Sequence, residues 1–286
     1  MTTERKHTFN LAGFQRQGKF CCRSHHKQPR SFSSTTRRQN NSKTEQVQVL
    51  LVLGAIYLKR GDLAGAQQCL TGSVALDGNN AESRNNLGYV LLSQGSTKEA
   101  VSQLEATIRI QPDHVEAHDN LGSAFIQLGQ YSQASSSLCR SVELDPGNAD
   151  RHNLLATAYM LENNHASAVT HLKNALALTP DLIFALNNLA WIRATNPDAE
   201  RRDAQQAVRL AERAVKRTHR ENPHILDTLA TVYAEAGNFQ QAVTTTERAL
   251  ALIEAQSPDA DATELHERLR LYRMQMPYRD HGRPGH

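Results

Sequence analysis

The stretches L-G-A-I-Y at 53–57, L-G-Y-V-L at 87–91, L-G-S-A-F at 121–125 and L-A-T-A-Y at 155–159 recur at a constant offset of 34 residues. Self-similarity at such a period marks an array in which each unit packs only on its neighbours. Other residues keep the register. Gly61, Gly95, Gly129 and Asn163 follow the four stretches, and both residue types tolerate the left-handed backbone at a helix end. Ala66, Ala100, Ala134 and Ala168 come next, each with a Leu four positions on (Leu70, Leu104, Leu138 and Leu172). That i, i+4 relation puts each Ala and its Leu on one helical face, with the Ala where two helices nearly touch. Pro112, Pro146 and Pro180, with Gly78 in the first unit, then redirect the chain. Each unit therefore reads as helix, turn, helix, turn.

Composition agrees with an all-α chain. Hydrophobic residues make up 39% of it, but aromatics only 5%, so Ala and Leu must fill the core. Small and unbranched apolar residues suit closely packed helices, whereas strands draw on Val, Ile, Tyr and Phe. The pattern L-G-x-x-Y, G, A-x-x-x-L, P over 34 residues resembles the tetratricopeptide repeat. That resemblance implies a right-handed α-solenoid of antiparallel helix hairpins whose first helices line a concave groove.

The spacing predicts units at 47–80, 81–114, 115–148 and 149–182. A fifth, longer unit covers 183–222, its turn lengthened by A-T-N-P-D-A-E-R-R-D-A-Q, and a sixth covers 223–258, with Leu229, Ala230, Tyr233, Gly237, Ala242 and Ala249 in register. The repeats thus occupy 47–260. Residues 262–276, with Leu265, Leu269 and Tyr272 on one face, are expected to cap the last hairpin, and 277–286 to form a flexible tail. The fifth and sixth units and the L-R-L-Y-R-M-Q-M-P-Y-R stretch are similar to bacterial tetratricopeptide proteins labelled O-GlcNAc-transferase-like. The similarity concerns the repeats, and nothing resembles that enzyme's catalytic domain.

A series of polar residues precedes the Leu of each first helix: Asn85-Asn86, Asp119-Asn120, Asn153, Asn187-Asn188 and Asp227. An amide offers both a donor and an acceptor, as sequence-tolerant recognition of an extended peptide backbone requires. The series resembles the asparagine ladder of O-GlcNAc transferase repeats, which the similarity implies for Asn86, Asn120 and Asn188. Leu154 and Thr228 interrupt it. The alternative role for these amides is support of inter-repeat packing. A clamp for acidic chaperone tails needs Lys and Arg in the groove, but its positions hold Leu51, Glu116 and Asn120. Trp191 is a candidate groove anchor, or else packs on the lengthened turn at 195–203.

No phosphate-loop, dinucleotide, nucleophile-elbow or zinc-protease motif is present, so the sequence points away from an enzyme and implies no cofactor. His114 and His118 have an i, i+4 spacing but straddle a unit boundary, which argues against a metal site. The expected function is a non-catalytic scaffold that binds an extended or helical segment of a protein partner, with a recruiting subunit of a separately encoded glycosyltransferase as the alternative. Basic residues of the second helices, such as Arg209, Arg213, Lys216 and Arg217, lack aromatic interleaving and give no nucleic-acid signature.

Residues 1–44 carry ten Lys/Arg and one acid and show no sustained periodicity, which predicts a disordered basic segment. R-S-F-S-S-T-T-R-R at 30–38 also resembles an organellar transit sequence, so the expected compartment is cytoplasmic, with an organelle as the alternative. Cys21, Cys22, Cys69 and Cys139 have no zinc-like spacing, and no apolar run is long enough to span a membrane.

Overall fold

The computed structural model describes residues 34–218, 221–257 and 260–279. The charged segment 1–33, with Cys21 and Cys22, and the tail 280–286 lie outside the described residues. Within them the structure is all helical, with no strand. The chain divides into two compact units, here taken separately, with the boundary between Pro146 and Gly147.

The first unit holds three hairpins: α1 (Ser34–Lys59) with α2 (Leu63–Leu76), α3 (Ala81–Ser93) with α4 (Thr97–Ile110), and α5 (Val115–Gln127) with α6 (Tyr131–Leu144). Gly61, Gly95 and Gly129 turn each hairpin with φ of 75°, 82° and 73°. The same turn in the next unit uses Asn163 at φ 61°, since Asn is the side chain that best tolerates this region. Hydrogen bonds from Gly95 N to Leu92 O (3.2 Å) and Ser96 N to Leu91 O (2.9 Å) satisfy carbonyls at the end of α3. At the start of α3 the Asn80 side chain accepts from Ser83 N at 2.8 Å, and His114 caps α5 by accepting from Ala117 N at 3.3 Å.

Hairpin packing explains the small residue of each signature. A Cβ placed on Gly88 or Gly122 would lie 2.7 or 2.4 Å from Leu104 or Leu138 Cγ, so only glycine lets the second helix approach this closely. Leu70, Leu104 and Leu138, with Ala66, Ala100 and Ala134, are completely buried.

The second unit contains α7 (Ala149–Leu161) with α8 (His165–Leu178), α9 (Ile183–Thr195) with α10 (Ala204–Arg217), α11 (Pro223–Glu235) with α12 (Phe239–Gln256), and α13 (Thr263–Arg273). The lengthened turn between α9 and α10 includes a single 3-10 turn at Ala199–Arg201. It is tied down from α9 by Arg193 Nη1 donating to Arg201 O at 3.1 Å and by Asp203 N donating to Arg193 O at 3.0 Å. Helix α13 packs on α12, its Leu265, Leu269 and Tyr272 only 1–6% exposed.

Two boundaries differ from the sequence expectation. Helix α1 starts at Ser34, so residues 34–44, read as part of an unstructured tail, are helical. Extending a helix already nucleated by packing costs little, and the Gln, Asn and Lys there are compatible with it. Residues 277–279, read as flexible, fold back: Tyr278 lies against Trp191, and Arg279 forms an ion pair with Glu235.

Candidate functional site

In both units consecutive first helices touch one another: α1 with α3, α3 with α5, α7 with α9 and α9 with α11. Second helices make no comparable contact with each other. Within each unit the hairpins therefore close toward the first-helix side, where the polar series was expected to meet a ligand.

The amides of that series bond mainly to one another. Asn120 Nδ2 donates to Asn85 Oδ1 at 3.0 Å, linking α5 to α3, and Asn188 Nδ2 donates to Asn153 Oδ1 at 3.2 Å, linking α9 to α7. Asn86 bridges Glu82 and Asn85 within α3. Asn85, Asn86, Asn120 and Asn188 are 5–9% exposed, and the Asn120–Asn85 and Asn188–Asn153 bonds cross the contact between successive repeats. Asn153 and Asn187 are half-buried, and Asn187 Oδ1 is buried without a hydrogen-bond partner.

The two acids of the series pair with side chains outside it. Asp119 accepts a very short hydrogen bond from Ser141 Oγ and is buried inside its own hairpin. Asp227 takes a bidentate pair from Arg268 of α13, at 2.9 Å from Nε and 2.7 Å from Nη2. Burial pushes the Asp227 carboxyl above the ordinary range, and the Arg268 guanidinium pulls it partway back. The acid at this register thus orients the terminal helix. A sequence reading of the repeat alone has no access to that, because Arg268 lies outside the period.

Trp191 is half-buried, and its ring meets the Tyr278 ring at 5.8 Å between centroids, with the Arg268 guanidinium 5.8 Å from the indole and 5.3 Å from the phenol. Trp191 also packs on the apolar cluster that includes Met160, Leu172 and Leu189. The guanidinium over two aromatic faces is a cation–π arrangement made by the chain's own terminal segment.

In the first unit the repeat position of Trp191 is held by Tyr89, also half-buried, which the sequence reading passed over. Counting back from Trp191 by the period would have found it. Two helical turns before Tyr89 on α3, Glu82 and its repeat equivalent Glu116 on α5 keep 38% and 45% of their side chains exposed, with the buried His114 imidazole between them at 3.7 and 3.5 Å. His118 Nε2 lies 2.8 Å from Pro112 O. The His114–His118 pair thus serves a helix cap and a loop carbonyl. No cluster of three or more metal-ligating side chains occurs among the described residues, and no described helix is long and apolar enough to cross a membrane.

No curated protein matches the sequence. The tetratricopeptide-repeat family model matches residues 57–123 and 91–156. Among solved structures, PilF of Pseudomonas aeruginosa is similar with a TM-score of 0.64 at 16% identity, over 79% of this chain and 97% of that one. A tetratricopeptide repeat protein from Parabacteroides merdae gives a TM-score of 0.59 at 16% identity, over 80% and 99%. YrrB, described as having an unusual peptide-binding site, gives 0.52 at 14% identity, over 70% and 97%. The hairpin, its glycine turn and the touching first helices agree with these matches: the chain carries tetratricopeptide repeats over 57–156, and beyond them it shares the fold of these helical-repeat structures.

Proposed function

We propose that this chain is a non-catalytic scaffold that holds an extended segment of a protein partner against the first-helix face, and that the 34–146 unit supplies the open part of that face. The observation that carries this reading is the side-by-side packing of α3 and α5, which presents Tyr89, Glu82 and Glu116 partly exposed beside a rigid floor of paired amides. An aromatic ring two helical turns along α3 from a pair of carboxylates suits an extended segment with an apolar side chain and a Lys or Arg a few residues away. The peptide-binding site of YrrB is a precedent in this fold for such a use.

Because the amides of Asn85 and Asn120 are occupied by each other, they shape the floor more than they recognise the ligand. A peptide array probed with the purified full chain separates the two roles. Glu82→Lys with Glu116→Lys is expected to weaken retained peptides at least about tenfold. Asn120→Ala should lower the melting temperature while leaving the pattern of bound peptides alone. Retention unchanged by the double charge reversal would remove this face from the function.

A further inference from the structure

The outward side of each first helix can be compared repeat by repeat at four equivalent positions. In α3 they are Ser83, Asn86, Leu87 and Val90, at 0, 8, 5 and 0% exposed. In α5 they are Ala117, Asn120, Leu121 and Ala124, at 0, 9, 6 and 0%. In α1 the same register falls on Val49, Val52, Leu53 and Ile56, which are 57, 51, 39 and 41% exposed. The preceding hairpin covers α3 and α5 here, whereas no described element covers α1. Its residues are also more apolar than those of the covered helices, with Val52 where the next two repeats place Asn. A terminal repeat facing only water would gain solubility from polar residues here.

The stripe has charged ends of opposite sign. Glu45 lies four residues before Val49 and Arg60 four after Ile56, both exposed, and Arg60 N still bonds Ile56 O at 3.2 Å, so both remain in helical register. Positions 45, 49, 52, 53, 56 and 60 form one stripe along the helix. A two-fold axis passing between Val52 and Leu53 would set Val49 against Ile56 of a second copy, Val52 against its Leu53, and Glu45 against its Arg60. A parallel arrangement would instead oppose Glu45 to Glu45 and Arg60 to Arg60. The stripe is therefore self-complementary in the antiparallel sense only, which is the requirement for an isologous interface.

We infer that α1 is a dimerisation helix through which two copies of this chain pair antiparallel, apolar stripe to apolar stripe, with reciprocal Glu45–Arg60 ion pairs at its two ends. The helix closes the open end of one repeat array with the open end of another. This interface involves the outward side of α1 and none of the residues assigned to peptide binding, so either proposal can fail without the other.

Sedimentation velocity of the full chain over a concentration series tests it. The wild type should show a concentration-dependent dimer. Val52→Glu, at a half-exposed position that the monomer does not need, should raise the dissociation constant more than about 100-fold with unchanged helical circular dichroism. Glu45→Arg alone and Arg60→Glu alone should each weaken the dimer about tenfold, and the two together should restore it to within about threefold of the wild type. A monomer at every concentration, a dimer indifferent to Val52→Glu, or a double reversal no better than the single ones would each overturn the inference. So would a monomeric wild type whose α1 amides lose hydrogen-exchange protection when residues 1–33 are deleted, because the chain's own segment would then be the occupant.

Discussion

The first and last repeats use the same hairpin but finish their outward faces differently. At the start, α1 leaves Val49, Val52, Leu53 and Ile56 between 39% and 57% exposed. At the end, α13 buries Leu265, Leu269 and Tyr272 to 6% or less. It also carries Arg268 into a bidentate pair with Asp227, and Tyr272 Oη sits 2.8 Å from Thr231 Oγ1. The apolar face of a repeat must be covered by something, and a segment outside the period can do so with polar bonds that fix its orientation. Among the described residues the open end shows no such polar device, only a stripe with oppositely charged ends.

The same contrast extends to the first-helix face. Tyr89 and Trp191 hold one repeat position, but Trp191 lies under the chain's own Tyr278 and Arg268 while Tyr89 is half-exposed on α3. A ligand at Trp191 would also meet Tyr278 and Arg268 beside it.

The largest expected effect breaks the closed end. Arg268→Ala should cost about 3–5 kcal/mol in the unfolding of the 147–279 unit, because it leaves a buried carboxylate without its partner. The folded Asp227 carboxyl is held above its ordinary range, so its contribution to stability is present at acidic pH and lost as pH rises through that raised value. Removing Arg268 raises the value further. The deficit of Arg268→Ala relative to wild type should then be greatest near neutral pH and shrink as the solution is acidified. Urea titrations at several pH values check this, and a pH-independent deficit would show that the pair does not set it.

Gly122→Val ranks next. Its Cβ would meet Leu138 Cγ at 2.4 Å between two buried helices, for a loss of about 1–3 kcal/mol. Gly54→Val meets Leu70 Cγ at 2.8 Å but in a hairpin whose first helix is uncovered outside and can move away, so its cost should be smaller. Equal melting-temperature losses for the two would mean that α1 is held as firmly as α5.

Tyr278→Ala should cost only about 0.5–1.5 kcal/mol, the scale of an aromatic contact. It should shift the emission of Trp191 to the red, and Trp191 is the single tryptophan of the chain. The smallest effect concerns His171, whose imidazole is held below its ordinary value by burial and then by the neighbouring His152 at 3.0 Å between Nδ1 atoms. A lowered folded value contributes stability that is present above pH 6.5 and lost as pH falls through it. His171→Gln should remove that part of the acid sensitivity of the 147–279 unit.

Much of the architecture was legible because it rests on local spacing. The Gly and Asn turns, the Ala-Leu stripe and the proline breaks each act within one hairpin, so the period displays them. The groove chemistry was less legible. An Asn before the Leu of a first helix has the same spacing whether it bonds a ligand or the Asn of the preceding repeat, and the 3.0 Å bond between Asn120 and Asn85 becomes visible only in the structure. Asp119 and Asp227 look alike in sequence. They differ because Ser141 faces one from its own hairpin and Arg268 reaches the other from outside the repeats.

The amino-acid sequence by itself determined that hairpins form and stack, because helix periodicity, turn chemistry and close Gly–Leu contacts depend on residues only a few turns apart. The tertiary structure alone decided which equivalent positions are covered. Burial depends on what packs from outside the repeat, and that is a neighbouring hairpin for Leu87, the terminal helix for Asp227, the folded-back Tyr278 for Trp191, and none of the described elements for Val52.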